Sequence, residues 1–201
     1  MQRLKVKEQF KVLRIHASHT RRQDVERYVA ERYAAAFNAQ LQQFMPEFLV
    51  MMNTNNAIQS VCGYRSAHHE SLFLEHYLPQ PADEVLAAAL DTNIERSQLV
   101  EFGQLASFSY GFSMLHFYAL IQALLAQGFQ WCIFTATDPL FAMMRRFGLK
   151  PTVLAQAQAT CIANANAVWG SYYDHAPRIM AGDLSLGMAQ LQQAMARRGL
   201  L

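Results

Sequence analysis

The longest apolar stretch of the chain lies between residues 98 and 137, and it carries no charged side chain from Phe102 to Thr137. It reads QLVEFGQLAS, then YGFSMLHFYALIQALLAQGFQWCIFTAT. The first segment suits a strand, the middle is apolar on nearly every side as a buried helix is, and Gly128 separates it from a second strand. The pattern predicts a strand, a crossover helix and a parallel strand inside a protein core.

Within the first of these strands, a period of two residues assigns alternate side chains to opposite faces of the sheet. The side chains predicted to point to one face are Val100, Phe102 and Gln104. Those predicted to point to the other face are Glu101, Gly103 and Leu105.

Shorter patterns predict the elements on either side of this unit. β-Branched and apolar residues predict a strand at 10–17, and helical spacing of Val25, Val29 and neighbouring apolar residues predicts a helix at 21–39. Asparagines at 53–56 predict a turn joining strands 48–53 and 57–65 into a hairpin. Further helices are predicted at 82–90, from Asp138-Pro139 to Gly148, and at 184–198.

This order predicts an α/β (α+β) fold with a mixed central sheet and flanking helices. We expect a single domain over residues 1–201, with a less regular C-terminal elaboration from about residue 151. A membrane-spanning helix needs about 20 predominantly apolar residues. Because His116, Gln122 and Gln127 interrupt the central helix, the sequence favours burial in protein and predicts no transmembrane segment.

Composition agrees with a chain that forms a core. Apolar residues make up 52% and charged residues 16% of the sequence, and a net charge of +2 without a basic run predicts no nucleic-acid partner. Cys62, Cys132 and Cys161 form no CxxC pair and are predicted to be buried, reduced thiols. The first ten residues lack the apolar segment of a signal peptide, so we expect a cytoplasmic protein.

Two charged residues stand out as candidates for chemistry. Glu101 lies at the edge of the least polar segment, where desolvation disfavours its charge. Arg65 follows Gly63 at a strand end, where another group can approach the backbone closely. Each is also compatible with an ordinary salt-bridged surface residue. His68, His69 and His76 lack a completing ligand set, so no metal site is predicted.

Six separated blocks resemble the thermostable hemolysin family of bacterial proteins over about residues 45–185. The blocks are CGYRSA with LFLEHYL, VEFGQLAS, GFQWCIFTATDPL, RRFGLKP and WGSYYDHAPRIMAGD. The resemblance implies a GNAT-like N-acyltransferase fold, in which two neighbouring parallel strands splay and expose backbone groups to the pantetheine arm of an acyl carrier. Here those strands are 99–106 and 131–135.

The chain is more distantly similar to the acyl-homoserine lactone synthases, which make autoinducers. Arg65 matches the arginine of their glycine-x-arginine strand end, and Glu101 matches the glutamate of their Glu-x-x-Arg strand. Gln104 replaces the second arginine of that strand, so a bidentate cation has become a neutral amide. This departure argues against S-adenosylmethionine as the acceptor.

The resemblance implies a role for each matched residue. Glu101 is the expected general base, and Arg65 is expected to position an acceptor carboxylate or to orient Glu101. Backbone N–H groups at residues 105–107 are expected to polarise the thioester carbonyl. The expected donor-binding residues are Phe102, Gly103, Gln104, Leu105, Ala106, Ser107, Tyr110, Gly111, Phe112, Phe134 and Thr135. The expected acceptor or acid–base residues are Tyr172, Tyr173, Asp174 and His175.

The function predicted from these residues is acyl transfer to a small amine. The donor, acyl-CoA or an acyl carrier protein, is a co-substrate, and no permanently bound cofactor or metal is expected. The family name leaves open a membrane-active protein, with lysis either direct or through a surface-active acylated product. A fold that binds thioesters without turning them over is a third reading.

Overall fold

The computed structural model describes residues 10–107 and 113–200. The strands are β1 (Phe10–Ile15), β2 (Glu47–Asn53), β3 (Ile58–Ser66), β4 (Leu99–Ser107), β5 (Trp131–Ala136), β6 (Thr152–Gln156) and β7 (Arg178–Asp183). The helices are α1 (Arg22–Phe37), α2 (Ala82–Leu90), α3 (Ser113–Leu125), α4 (Asp138–Arg146), α5 (Ala165–Trp169) and α6 (Leu184–Arg197). Short 3-10 helices include Phe73–Tyr77 and Gly170–His175. The predicted central unit is confirmed as β4, α3 and β5.

The strands form one seven-stranded sheet in the order β1-β2-β3-β4-β5-β7-β6. The pairing of β4 with β5 is parallel, and every other neighbouring pair is antiparallel. The sheet is therefore mixed, as predicted, and the C-terminal part contributes two of its strands. α3 makes the crossover between the two parallel strands.

Helices cover both faces of the sheet. The apolar residues of α3, α4 and α6 pack with Val100, Phe102 and Phe134 on one face. On the other face, α1 packs over β2 and β3 through Val25 and Val29, while α2 packs beside it near Leu99. Both parallel strands are thereby buried on both sides, which explains their nearly continuous apolar sequence.

Gln104 breaks the alternation that a regular strand predicts. Its backbone has φ of 49°, and the pairing of β4 with β3 shifts register between Val61 and Gly63. Such a bulge adds a residue to one strand and changes the face to which the following side chains point. The prediction that Gln104 faces the same side as Val100 and Phe102 is wrong: its side chain contacts residues 43 and 45 on the Glu101 face.

The predicted hairpin is confirmed, and its turn depends on asparagine. The Asn53 side-chain oxygen accepts hydrogen bonds from the N–H groups of Asn55 (3.0 Å) and Ala57 (2.9 Å). Asn56 takes a positive φ of 58°, which asparagine tolerates better than most residues.

Two of the three cysteines are buried as predicted, and Cys161 is not. Cys62 and Cys132 lie in the sheet, whereas Cys161 is exposed at the end of a 3-10 helix. Its 3-10 helix, Ala159–Cys161, lies outside the sheet and contains no buried residue. Elsewhere in the core, the Ser60 hydroxyl is hydrogen-bonded to Nδ1 of His116, and burial lowers the pKa of that histidine to about 4.

Gly170 sits where no other residue fits. It has a positive φ of 56°, and a Cβ atom on it would lie 2.0 Å from the carbonyl oxygen of Phe37. We expect Gly170→Ala to lower the free energy of unfolding by about 3 kcal/mol or more, because the backbone at residues 37–38 must move. Urea unfolding measures this loss.

Gly128→Ala is the matched control for this substitution. Gly128 also has a positive φ, of 88°, but nothing lies within 4 Å of the added Cβ. Its cost is then the backbone strain alone, about 1 kcal/mol. Equal losses in the two variants would contradict the close approach at Gly170.

Candidate active site

β4 and β5 separate partway along their length. Their ladder pairs Leu99–Phe102 with Trp131–Phe134 and ends there. β4 continues to Ser107 alongside β3, and β5 continues to Ala136 alongside β7. Beyond residues 102 and 134 the two strands are no longer hydrogen-bonded to each other, as the acyltransferase resemblance predicts; the space between these unpaired edges is called the slot here.

The residues predicted to bind the donor fall at different places around this slot. Gly103, Leu105, Ala106 and Ser107 follow the last paired residue of β4, and Thr135 follows that of β5. The rings of Phe102 and Phe134 stack with their centroids 4.2 Å apart at the closed end. Gln104 contacts the 43–45 segment with its side chain. Tyr110, Gly111 and Phe112 lie outside the described residues.

The structure places Glu101 and Arg65 side by side. The two residues are cross-strand partners in the β3–β4 ladder, so their side chains emerge on the same face of the sheet. The Arg65 Nε lies 3.6 Å from Glu101 Oε2, and Arg65 NH1 lies 3.3 Å from Oε2 of the exposed Glu70. Arg65 therefore joins a buried carboxylate to a surface one.

Glu101 is held almost out of solvent. Its residue is 3% exposed, and its Oε2 accepts a 2.8 Å hydrogen bond from the backbone N–H of Phe73. Burial raises the pKa of Glu101 to about 7, and it outweighs the opposing effects of Arg65 and the Phe73 N–H. A carboxyl group with this pKa is divided between its acid and base forms near neutral pH, as an acid–base catalyst requires.

The residues over Glu101 belong to segments far away in sequence. Phe73 lies in the 3-10 helix Phe73–Tyr77, and its ring is 5.7 Å from that of Trp169. Glu75 in the same helix accepts hydrogen bonds from the N–H groups of Leu72 and Ala82 and from Arg96. These contacts fix the segment that covers the carboxylate.

Sequence reasoning missed Phe73, because it contributes a backbone group rather than a side chain. The signal in the sequence is the aromatic block LFLEHYL, which contains this residue. Sequence reasoning also missed Met45, whose side chain lies against Gly63, Gly103 and Arg65.

The predicted acceptor residues form part of an aromatic cluster. The Tyr172 ring packs on Trp169 (5.4 Å) and Phe37 (5.2 Å), so it reaches the Glu101 side through Trp169 and Phe73. The Tyr173 hydroxyl is 2.7 Å from that of Tyr77. His175 packs on Phe37, and Asp174 is exposed. The structure thus gathers Tyr172 and Tyr173 near the covering segment, and it records no contact of His175 or Asp174 with Glu101. Their proposed roles stay predictions.

Two cavities lie away from the carboxylate. An apolar cavity of about 50 Å³ lies between α3, α6 and β5, and it reaches Phe102 and Phe134 on the face opposite Glu101. A polar surface groove of about 720 Å³ runs past His68, Glu75 and Arg96. Neither is lined by Glu101 or Arg65.

Two further findings concern only residues 10–107 and 113–200. No group of three or more His, Cys, Asp and Glu side chains in these ranges is arranged to hold a metal ion. Within the same ranges, no helix is long and apolar enough to cross a lipid bilayer.

The sequence matches the model of the thermostable hemolysin family over residues 15–188. No functionally curated protein shows significant similarity to it.

Solved structures of several synthases share the fold. FeeM, an N-acyl amino acid synthase from uncultured soil microbes, superposes with a TM-score of 0.62 at 14% identity, over 96% of this chain and 99% of that one. BjaI, a CoA-dependent acyl-homoserine lactone synthase solved with SAM and isopentyl-CoA, gives 0.61 at 12% identity, over 95% and 90%. The acyl-homoserine lactone synthase LasI gives 0.60 at 11% identity, over 88% and 91%. The predicted acyltransferase fold is confirmed.

The raised pKa of Glu101 predicts how stability depends on pH. The folded protein holds the Glu101 proton up to about pH 7, whereas the unfolded chain releases it near 4.5. The stabilisation that the Glu101 proton contributes is thus fully present below about pH 4.5. This contribution, about 3 kcal/mol, is lost as pH rises through about 7. Glu101→Gln carries no such proton. We expect its stability relative to the native protein to rise by that amount between about pH 4.5 and pH 8.

Urea unfolding across this pH range measures the difference. Glu31→Gln, which removes an exposed carboxylate from α1, is the control and should follow the native protein at every pH. Parallel pH profiles for the native protein and Glu101→Gln would show that the Glu101 pKa is not raised.

Proposed function

The chain belongs to the thermostable hemolysin family, and from this premise we propose that it is an N-acyltransferase acting as a single domain. It moves an acyl group from an acyl thioester to a small amine or amino acid. The observation that carries the proposal is the opening of the β4–β5 ladder beside a buried carboxyl group whose pKa lies near 7. The structural likeness to synthases of N-acyl amino acids and acyl-homoserine lactones supports it.

The donor arm would lie in the slot between β4 and β5. Backbone N–H and C=O groups need hydrogen-bond partners, and strand edges beyond residues 102 and 134 offer such groups to an extended, amide-containing arm. Acyl-CoA and an acyl carrier protein carry the same pantetheine arm, so both are candidate donors. BjaI, which was solved with isopentyl-CoA, supports the first. With donors of this kind, we expect the reaction to take place in the cytoplasm.

Glu101 would begin the reaction as the general base. Its carboxylate takes a proton from the acceptor ammonium, and the neutral nitrogen then attacks the thioester carbonyl carbon. Backbone N–H groups at residues 105–107 would hold the oxyanion that forms. The intermediate collapses when the carbon–sulfur bond breaks, and the thiolate leaves with the second nitrogen proton as a free thiol. Amide and thiol are the two products.

Arg65 would favour the ionised form of Glu101, against the larger effect of burial, and would hold the carboxylate in place. Its Nε lies 3.6 Å from the Glu101 carboxylate, and its NH1 lies 3.3 Å from the carboxylate of the exposed Glu70. An acceptor carboxylate could take the place of Glu70, because an exposed ion pair contributes less than about 1 kcal/mol. Amino acids are therefore favoured over simple amines.

The test is release of free thiol. The purified protein is incubated with acyl-CoA and acyl carrier protein donors of different chain lengths, each with a panel of amino acids and amines. We expect release that depends on both substrates, and a product whose mass equals the acylated acceptor. Glu101→Gln should lower kcat by about 100-fold or more, as expected for loss of a general base. In the native enzyme, kcat/KM should rise with pH through about 7, because the carboxylate is the active form.

Glu31→Gln is again the control, and its activity should equal that of the native enzyme. Unfolding measurements establish that Glu101→Gln is folded before its activity is compared. Full transfer activity in folded Glu101→Gln would remove Glu101 from the mechanism. Absence of thiol release with every donor and acceptor, alongside tight thioester binding, would favour the binding-only reading.

The description of the family names a lytic activity, and acyl transfer offers a route to it. A fatty chain joined to a polar head is surface-active, since each buried CH₂ contributes about 0.8 kcal/mol to membrane binding. We expect that the purified protein does not lyse erythrocytes without donor and acceptor, whereas protein-free extracts of a producing culture do. Extracts from cells expressing Glu101→Gln are the control. Lysis by the purified protein alone would favour the direct, membrane-active alternative.

A further inference from the structure

Residues 38–46, named the strap here, join α1 to β2 and lie against the sheet at the bulge of β4. The backbone of this segment is neither helix nor strand. Near its start, the Gln40 N–H donates to the carbonyl of Val168 at 2.8 Å. At its end, the Arg22 guanidinium donates to the carbonyls of Met45 (2.6 Å) and Pro46 (3.0 Å). Both ends are thus anchored by groups outside the sheet.

Gln104 holds the second half of the strap with both the oxygen and the nitrogen of its side-chain amide. Its Nε2 donates to the carbonyl of Gln43 at 2.9 Å, and its Oε1 accepts from the N–H of Met45 at 2.9 Å. An amide offers a donor and an acceptor side by side, whereas arginine has no acceptor and an ionised glutamate has no donor. The left-handed backbone of Gln104 turns this side chain toward the strap.

Met45 is the part of the strap that reaches the site. A Cβ atom at position 63 would lie 2.6 Å from its Cβ and Cγ, and one at position 103 would lie 2.9 Å from its Cε. Met45, which is 5% exposed, therefore fills the space that two glycines leave open. Its Sδ lies 3.4 Å from the Arg65 Nε, on the guanidinium that pairs with Glu101.

We propose that Gln104 is a positioning residue that holds the strap as one wall of the acceptor site, so that the site accepts a small amino acid and rejects an amine bearing a bulky group. The inference rests on the proposed function. Arg65, with Met45 packed against its guanidinium, lies on one side of the Glu101 carboxylate, and the Phe73 N–H occupies another. A compact ammonium group reaches the carboxylate past these neighbours, whereas a bulky acceptor must first lift the strap.

Amide hydrogen exchange tests the hold on the strap independently of activity. In Gln104→Ala, both hydrogen bonds are lost, and we expect exchange at the Met45 amide to quicken by about five- to ten-fold. Gln104→Arg removes the acceptor for Met45 and should quicken the same amide. Gln104→Glu keeps that acceptor and should leave it slow. Gln43→Ala is the matched control, because residue 43 contributes only its backbone carbonyl. Unchanged exchange in Gln104→Ala would overturn the proposal.

Acceptor selectivity tests the second part of the proposal, that the strap limits the size of the acceptor. Glycine serves as the small acceptor and S-adenosylmethionine as the bulky one. In Gln104→Ala, we expect the ratio of kcat/KM for the bulky to the small acceptor to rise by about ten-fold, a difference of about 1.4 kcal/mol. The KM of the thioester donor should stay unchanged. A loosened strap with unchanged selectivity, or an equal change in donor KM, would overturn the acceptor role.

Failure of the proposed function is distinguishable from failure of this inference. If the native protein releases no thiol with any donor, calorimetric titration with glycine and S-adenosylmethionine replaces the kinetic assay. Preference for glycine in the native protein, weakened in Gln104→Ala and kept in Gln43→Ala, would support the strap without any turnover. Equal affinity of the native protein for both ligands would overturn it.

Discussion

Buried backbone N–H and C=O groups must find hydrogen-bond partners, and this constraint shapes the centre of the molecule. β4 pairs with β3 and β5 pairs with β7 along nearly their whole lengths, but β4 and β5 pair with each other only as far as Phe102 and Phe134. The antiparallel partners, β3 and β7, keep the diverging strands in the sheet. Beyond those residues the facing edges of β4 and β5 are no longer hydrogen-bonded to each other, so their backbone groups need other partners.

The bulge at Gln104 has consequences on both sides of the same strand. It takes β4 out of regular register just beyond the last residue paired with β5. It also turns an amide toward residues 43 and 45, where an arginine would meet the Met45 N–H with another donor. Gln104, which the sequence resemblance matches to an arginine of the synthases, thus binds groups that an arginine could not bind in the same way. The amide serves the protein's own backbone, which leaves Arg65 as the cation beside Glu101.

Sequence patterns predicted the elements well wherever one segment decides its own structure. The apolar, uncharged run of the central unit identified β4, α3 and β5, and the asparagine turn identified the β2–β3 hairpin. The direction of the Glu101 pKa shift, upward, could be predicted from its place in an apolar strand, because desolvation is the largest cause of the shift. The face of Gln104 did not follow, because the register shift is set jointly by β3 and the packed strap. The hydrogen bond from the Phe73 N–H to Glu101 could not be predicted from the sequence either, because it joins residues 28 positions apart in the chain.

The placement of β7 between β5 and β6 bears on how the chain is made. During synthesis, β5 and β6 leave the ribosome before the strand that joins them, since β7 begins only at Arg178. Until β7 is made, the backbone edges of β5 and β6 that will pair with it are open to pairing with other chains. A nascent chain stalled before residue 178 would therefore be a ready target for chaperones and aggregation, although it already carries Glu101, Arg65 and most of the slot.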